Sequence, residues 1–196
     1  MVAKAGRPAR LNRELIVAAA LETGLDGLTM RELATRLDVS HSALYRWVGN
    51  QDELFDLVSE VMTARIIPTD EPTPDTWRFW LARLAWSMHD EFLAVPGYAT
   101  RIATPHRHNP DSFNLLRTRV IGAFTIAGVA PELADQSWHI FAIGVTTYLA
   151  QLQSSHDHGP TQPRFDLYLD ALLRGLPAQI PVTYQRSGTT PSEGGL

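Results

Sequence analysis

Apolar residues in this chain of 196 residues recur at spacings of three and four almost from end to end, and no segment alternates at period two between hairpin turns. A helix buries a stripe at a period of about 3.6, whereas a half-buried strand buries every second side chain, so the pattern predicts an all-α fold. Proline and glycine punctuate it. Pro68, Pro72 and Pro74 remove donors and exclude helix interior, which marks 68–74 as the boundary between two helical parts. The predicted organisation is a basic arm and head over 1–50, a connecting helix over 51–67, a helical body over 68–180 and a disordered tail over 181–196, whose end is Gly, Ser, Thr and Pro.

In the head, Asn12 is the expected N-cap of a first helix, interrupted by Gly24 and Gly27. Thr29 and Glu32 have the spacing of a capping box, in which each side chain takes the other's backbone amide. A short helix to Leu37, a turn at Asp38-Val39-Ser40 and a second short helix to about Trp47 follow, and Gly49 and Asn50 stop it. Asn50 then caps the connecting helix, with Glu53 in the return position. In the body, helices are expected over 75–95, 112–127 and 131–154. Pro96-Gly97 and loops at 105–110 and 156–160 break them, and Pro163 opens a last helix that ends near Leu176.

The formal net charge is -4, which taken whole argues against a nucleic-acid partner. Its distribution argues the other way. Residues 1–50 sum to +2 and the remainder to -6, and residues 1–13 hold Lys4, Arg7, Arg10 and Arg13 with no acid. A cationic arm on a mildly basic head suits phosphate contact. The absence of cysteine excludes disulfides, thiolate zinc sites and cysteine nucleophiles. No apolar run approaches the roughly 18 residues that cross a bilayer, and no signal peptide opens the chain, so a cytoplasmic protein with no membrane contact is expected.

Residues 29–48 read as helix, tight turn, helix. Two short helices crossing at about 90–120° need a small residue where they touch, apolar inner faces and a reversal of three or four residues. Ala34 is the small residue, and Leu33, Leu37, Val39, Leu44, Trp47 and Val48 supply the apolar faces. Asp38 stands at the reversal and tolerates left-handed backbone better than most side chains. The outer face of the second helix is Ser40, His41, Ser42, Ala43 and Arg46, all small or hydrogen-bonding, as entry into a major groove requires.

Four runs extend this motif: Ile16-Val17-Ala18-Ala19-Ala20-Leu21, Gly27-Leu28-Thr29-Met30-Arg31-Glu32-Leu33-Ala34, Leu37-Asp38-Val39-Ser40, and Ala43-Leu44-Tyr45-Arg46-Trp47-Val48 followed by Asp52-Glu53-Leu54. Together, through residues 10–60, they resemble the tetracycline-repressor (TetR/AcrR) family of bacterial transcriptional regulators. The Leu44-Tyr45-x-x-Val48 pattern places the likeness nearest the branch of the tetracycline repressor itself. The resemblance implies an N-terminal three-helix DNA-binding head followed by a helical ligand-binding and dimerisation body. It implies a ligand-responsive regulator, by default a repressor, that binds a double-stranded palindromic DNA operator as a homodimer. By the resemblance, Tyr45 contacts a phosphate, Thr29 and Arg31 anchor the first helix of the motif, and His41, Ser42, Ala43 and Arg46, after Ser40, read bases. Arg46 can pair bidentately with guanine, worth about 1–3 kcal/mol of discrimination. Family members usually carry Lys just after the recognition helix, where this chain has Gly49-Asn50-Gln51-Asp52, and Trp47 replaces the usual His or Tyr. Phosphate contact is therefore expected from the amides at Asn50 and from the Arg7, Arg10 and Arg13 arm.

In the body, Trp80, Trp86, Phe92, Phe113, Trp138 and Phe141 share helices with His89 and Arg117. An apolar cavity with a few convergent polar groups is the form of a small-molecule site, so these eight are the candidate effector contacts. The effector is expected to be small and mainly apolar, aromatic or polycyclic. The helix over 131–154 is apolar on nearly all sides, which makes it either central or shared with a second copy. With Phe165, Leu169, Leu172, Leu173 and Leu176 it predicts a homodimer through the last two helices. His106 with His108, and His156 with His158, are pairs that could hold a divalent ion. A metal-dependent hydrolase built on them is the rival reading, and an architectural DNA-binding protein without ligand sensing is another. Neither pair has a third ligand at fixed spacing, and no Ser-His-acid set or phosphate-binding glycine loop occurs. The sequence thus assigns no metal, no cofactor and no enzymatic activity.

Overall fold

Asn12, in extended backbone, accepts the Leu15 amide at 2.8 Å and starts the first helix, as its position predicts. The computed structural model describes residues 11–104, 110–154 and 164–179. Among these residues every regular element is helical. The head is α1 (Arg13–Thr23), α2 (Met30–Arg36) and α3 (His41–Tyr45), and α4 (Gln51–Ile66) connects it to the body. The body is α5 (Trp77–Ala94), α6 (Tyr98–Ala103), α7 (Pro110–Ile126), α8 (Pro131–Gln153) and α9 (Phe165–Gly175).

The head closes on Ile16, Ala20, Leu33, Ala34, Leu44 and Val48, all buried, and α4 adds Leu54 and Val58 beneath them. The Thr29–Glu32 box forms in both directions, at 3.2 Å from the Glu32 amide and 2.9 Å from the Thr29 amide. Asp38 takes φ 52 at the reversal, the one left-handed non-glycine among the described residues. The Val39 amide then returns to the Ala34 carbonyl at 3.0 Å, which sets α3 against α2. α3 is shorter than the apolar pattern suggests, with Arg46 as its C-cap.

In the body, Trp77, Trp80, Leu81, Leu84, Met88 and Phe92 form the buried stripe of α5. Trp138, Phe141, Val145 and Leu149 of α8 pack from the other side. The segment 68–74 is non-helical, as its prolines require, but it is strapped to the body. The Trp80 indole donates to the Asp70 carbonyl at 2.8 Å, and Arg83 and Arg119 pair with Asp70 and Glu71. The Arg83 guanidinium holds the Asp70 carboxyl below its ordinary range.

α6 is an element the sequence pattern does not announce. Gly97, at φ 79, turns the chain sharply out of α5, and six residues of helix follow where proline and glycine suggested only a break. Gln153 at the end of α8 fixes this corner. Its amide donates to the carbonyls of Phe92 at 3.2 Å and Val95 at 2.9 Å, and its oxygen accepts the Thr100 amide at 3.3 Å.

Candidate functional site

Ser40 accepts the Ala43 amide at 3.2 Å and so opens α3 with its first turn toward solvent. Leu44 points inward and is fully buried, which leaves His41, Ser42, Tyr45 and Arg46 exposed and Ala43 half-buried. His41 and Tyr45, one turn apart, meet edge to face with centroids 4.5 Å apart. Thr29 and Arg31 from the start of α2, His41 and Tyr45 from α3, and Asn50 from the cap of α4 line one open hollow. Ala43 and Arg46 line an adjoining one with Leu11, Val39 and Trp47. Arg7 and Arg10 lie outside the described residues. The hollow also contains a residue the sequence reading did not select. Arg101 of α6 reaches it and pairs with Asp52 in the first turn of α4.

A third concavity, of about 350 Å³, lies inside the body. Phe92, Phe113, Trp138 and Phe141 are on its wall, together with Ser59, Thr63 and Ile66 of α4, Met88 of α5, and Tyr98, Ile102, Ala103 and Thr104 of α6 and its C-cap. His139, Ala142, Ile143, Thr146 and Thr147 of α8 complete the side toward solvent, and no Lys, Arg, Asp or Glu stands among the described lining residues. Tyr98 donates to the Ser59 hydroxyl at 3.4 Å, and burial pushes its own hydroxyl up to about 12, so it remains a neutral donor. The His139 ring nitrogen Nδ1 lies 2.9 Å from the Asp135 carbonyl. An apolar wall with hydroxyls and one imidazole can enclose an apolar molecule and orient its few polar groups.

The other four expected contacts stand elsewhere. Trp80 is fully buried under the 68–74 strap, where the Asp70 carbonyl takes its indole donor. Trp86 meets Phe165 edge to face at 4.9 Å and His89 stacks on the same ring at 4.9 Å, so both serve the α5–α9 contact. Arg117 pairs with Asp135. The α4 contacts had a signal in the sequence: Ser59 and Thr63 are hydroxyls four apart on an otherwise apolar helix face. The His106/His108 and His156/His158 pairs fall outside the described residues, and among those described no three His, Asp or Glu side chains group as metal ligands would. No helix among them is long and apolar enough to cross a membrane.

The chain matches no protein-family model. It is 31% identical over 183 residues to the class C tetracycline repressor protein of Escherichia coli, covering 87% of this chain and 78% of that one. The fold is similar to that of the Streptomyces coelicolor TetR family protein ActR in complex with (S)-DNPA, with a TM-score of 0.73, 26% identity, and coverage of 87% of this chain and 98% of that one. It is also similar to a single-residue variant of TetR from Acinetobacter baumannii AYE in complex with minocycline, with a TM-score of 0.69, 28% identity, and coverage of 85% and 96%.

Proposed function

The chain belongs to the tetracycline-repressor family of ligand-responsive, DNA-binding transcriptional regulators, and from that premise we propose how it reads DNA and how it lets go. It binds a palindromic operator as a homodimer, with one α3 in each of two successive major grooves. His41, Ser42, Ala43 and Arg46 read bases, and Thr29, Tyr45 and Asn50 hold phosphates. A small, mainly apolar effector enters the body cavity and releases the operator. Two of the similar proteins hold small molecules, (S)-DNPA and minocycline, which supports a small-molecule effector here.

The observation that carries this reading is the double attachment of α6. Its residues Ile102 and Ala103 are cavity wall. At its other end, the Pro96 carbonyl just before it accepts the amides of Leu25 at 2.6 Å and Asp26 at 3.2 Å in the head. A ligand that fits the cavity better with α6 displaced shifts the heads by its differential affinity for the two arrangements. Phe165, Leu169, Leu173 and Leu176, expected at the dimer contact, are buried in the chain's own core, so the homodimer rests instead on the outer faces of α8 and α9, where Ile140 and Leu167 are exposed at 45% and 58%. Protection of DNA from the region beside its own coding sequence tests the reading. A two-fold footprint that an apolar ligand erases supports it, and the absence of any footprint rejects it.

A further inference from the structure

We propose that Arg101, a residue of the body, is a DNA-backbone contact: its guanidinium takes an operator phosphodiester and is withdrawn when α6 moves. The proposal rests on the DNA-binding reading above and deepens it. Arg101 lines the same hollow as Thr29, His41, Tyr45 and Asn50, so a phosphate seated among those groups also meets α6.

Charge favours the contact. From Val48 to Ala64 the chain has no Lys or Arg, while Asp52 and Glu53 stand in the first turn of α4. The cations of the hollow therefore come from elsewhere in the fold, Arg31 from α2 and Arg101 from α6. The Arg101 guanidinium pairs with Asp52, and its central carbon lies 5.4 Å from the Phe55 ring centroid, which fixes its position over α4. The pair is open to water, with side chains 39% and 75% exposed, and exposed pairs of this kind are weak. A phosphodiester therefore competes with Asp52 for the planar fork, whose geometry suits phosphate. The next residues along α6, Ile102 and Ala103, are cavity wall. Effector entry thus has a direct electrostatic arm: moving α6 removes positive charge from the DNA face as well as shifting the heads.

The parental protein and the variants Arg101→Gln, Arg101→Lys and Asp52→Asn are titrated with a duplex covering the region beside its own coding sequence, over a range of salt concentrations, after thermal melting confirms folding. Arg101→Gln is expected to weaken binding several-fold and to reduce the slope of log affinity against log salt by about one per head. Arg101→Lys, which retains the charge, restores most of that slope. Asp52→Asn tightens binding. An Arg101→Gln variant with the parental slope overturns the proposal, whatever its affinity. Equal weakening by Arg101→Gln and Asp52→Asn at unchanged slope also overturns it, because the pair is then only a latch between body and head. Failure of the parental protein to bind the duplex rejects the DNA-binding reading itself.

Discussion

Gly97 and Asp26 approach so closely that a Cβ on Gly97 would stand 2.5 Å from the Asp26 amide nitrogen. Body and head are in backbone contact there, with no side chain between them. Gly97→Ala is expected to destabilise the fold by about 1–3 kcal/mol, because it meets both the clash and a left-handed backbone. Gly27→Ala also meets positive φ, at 69°, but has open space around it, and is expected to cost less. Thermal melting of the two variants side by side checks the order.

The capping box makes stability depend on pH. The Thr29 backbone amide, and then its hydroxyl, hold the Glu32 carboxyl below its ordinary range. A carboxyl depressed in the folded state adds stability that is full above the unfolded value and is lost as pH falls through the folded one. The melting temperature should therefore fall on acidification from the ordinary carboxylate range downward, and Glu32→Gln should flatten part of that fall. Thr29→Ala removes the cap at neutral pH as well, at about 1 kcal/mol. Melting curves across acidic pH distinguish the two.

The cavity can be filled from its wall. Ala142 lines it and is only half-buried. Ala142→Phe places a ring in the space, and effector affinity is expected to fall at least about tenfold, that is by about 1.4 kcal/mol or more, with DNA binding retained. Calorimetric titration, with a DNA-binding assay beside it, reads both.

The outer faces of the last two helices carry the proposed dimer. Charge at Ile140 and Leu167, as in an Ile140→Arg and Leu167→Arg double variant, should yield a folded monomer with weakened operator binding. Sedimentation that shows an unchanged dimer would place the interface elsewhere.

Base reading and phosphate holding should separate on α3. Arg46→Ala is expected to relax specificity at one operator position, by about 1–3 kcal/mol. Tyr45→Phe should weaken binding across all sequences alike. Competition between operator and random duplexes decides, and equal loss on both for Arg46→Ala would falsify its base-reading role.

The head was legible because each of its joints is a local chemical device. Asn12, Thr29 with Glu32, Asp38 and Asn50 announce helix ends within a few residues of themselves, and the structure forms each one, except that Glu53 returns to the Gly49 amide and not to that of Asn50. α6 was not legible. It is six residues long, follows Pro96-Gly97, and is held by Gln153 from more than fifty residues away. No local signal reports a tertiary clamp of that kind. The cavity was half legible for a related reason. Phe92, Phe113, Trp138 and Phe141 line it, whereas Trp80, Trp86 and His89 have the same residue types and spacing but pack against the 68–74 strap and Phe165. Helical period identifies an inward face; it does not say whether that face meets a neighbour or a void.

The wall of the cavity and the core of the body are the same side chains. Met88, Phe92, Tyr98 and Phe141 are each no more than 3% exposed, yet each borders the void. Recognition and folding therefore cannot drift apart. A substitution that retunes the protein toward another compound also changes how well the chain folds, so new inducer specificities must arise within a narrow tolerance for lost stability. The effector itself widens that tolerance: at about a hundred times its dissociation constant it adds about 2.7 kcal/mol to the folded state. Marginal variants would then persist in cells that contain the compound and be cleared from those that do not, so the compound being sensed also acts as a selective filter on its sensor.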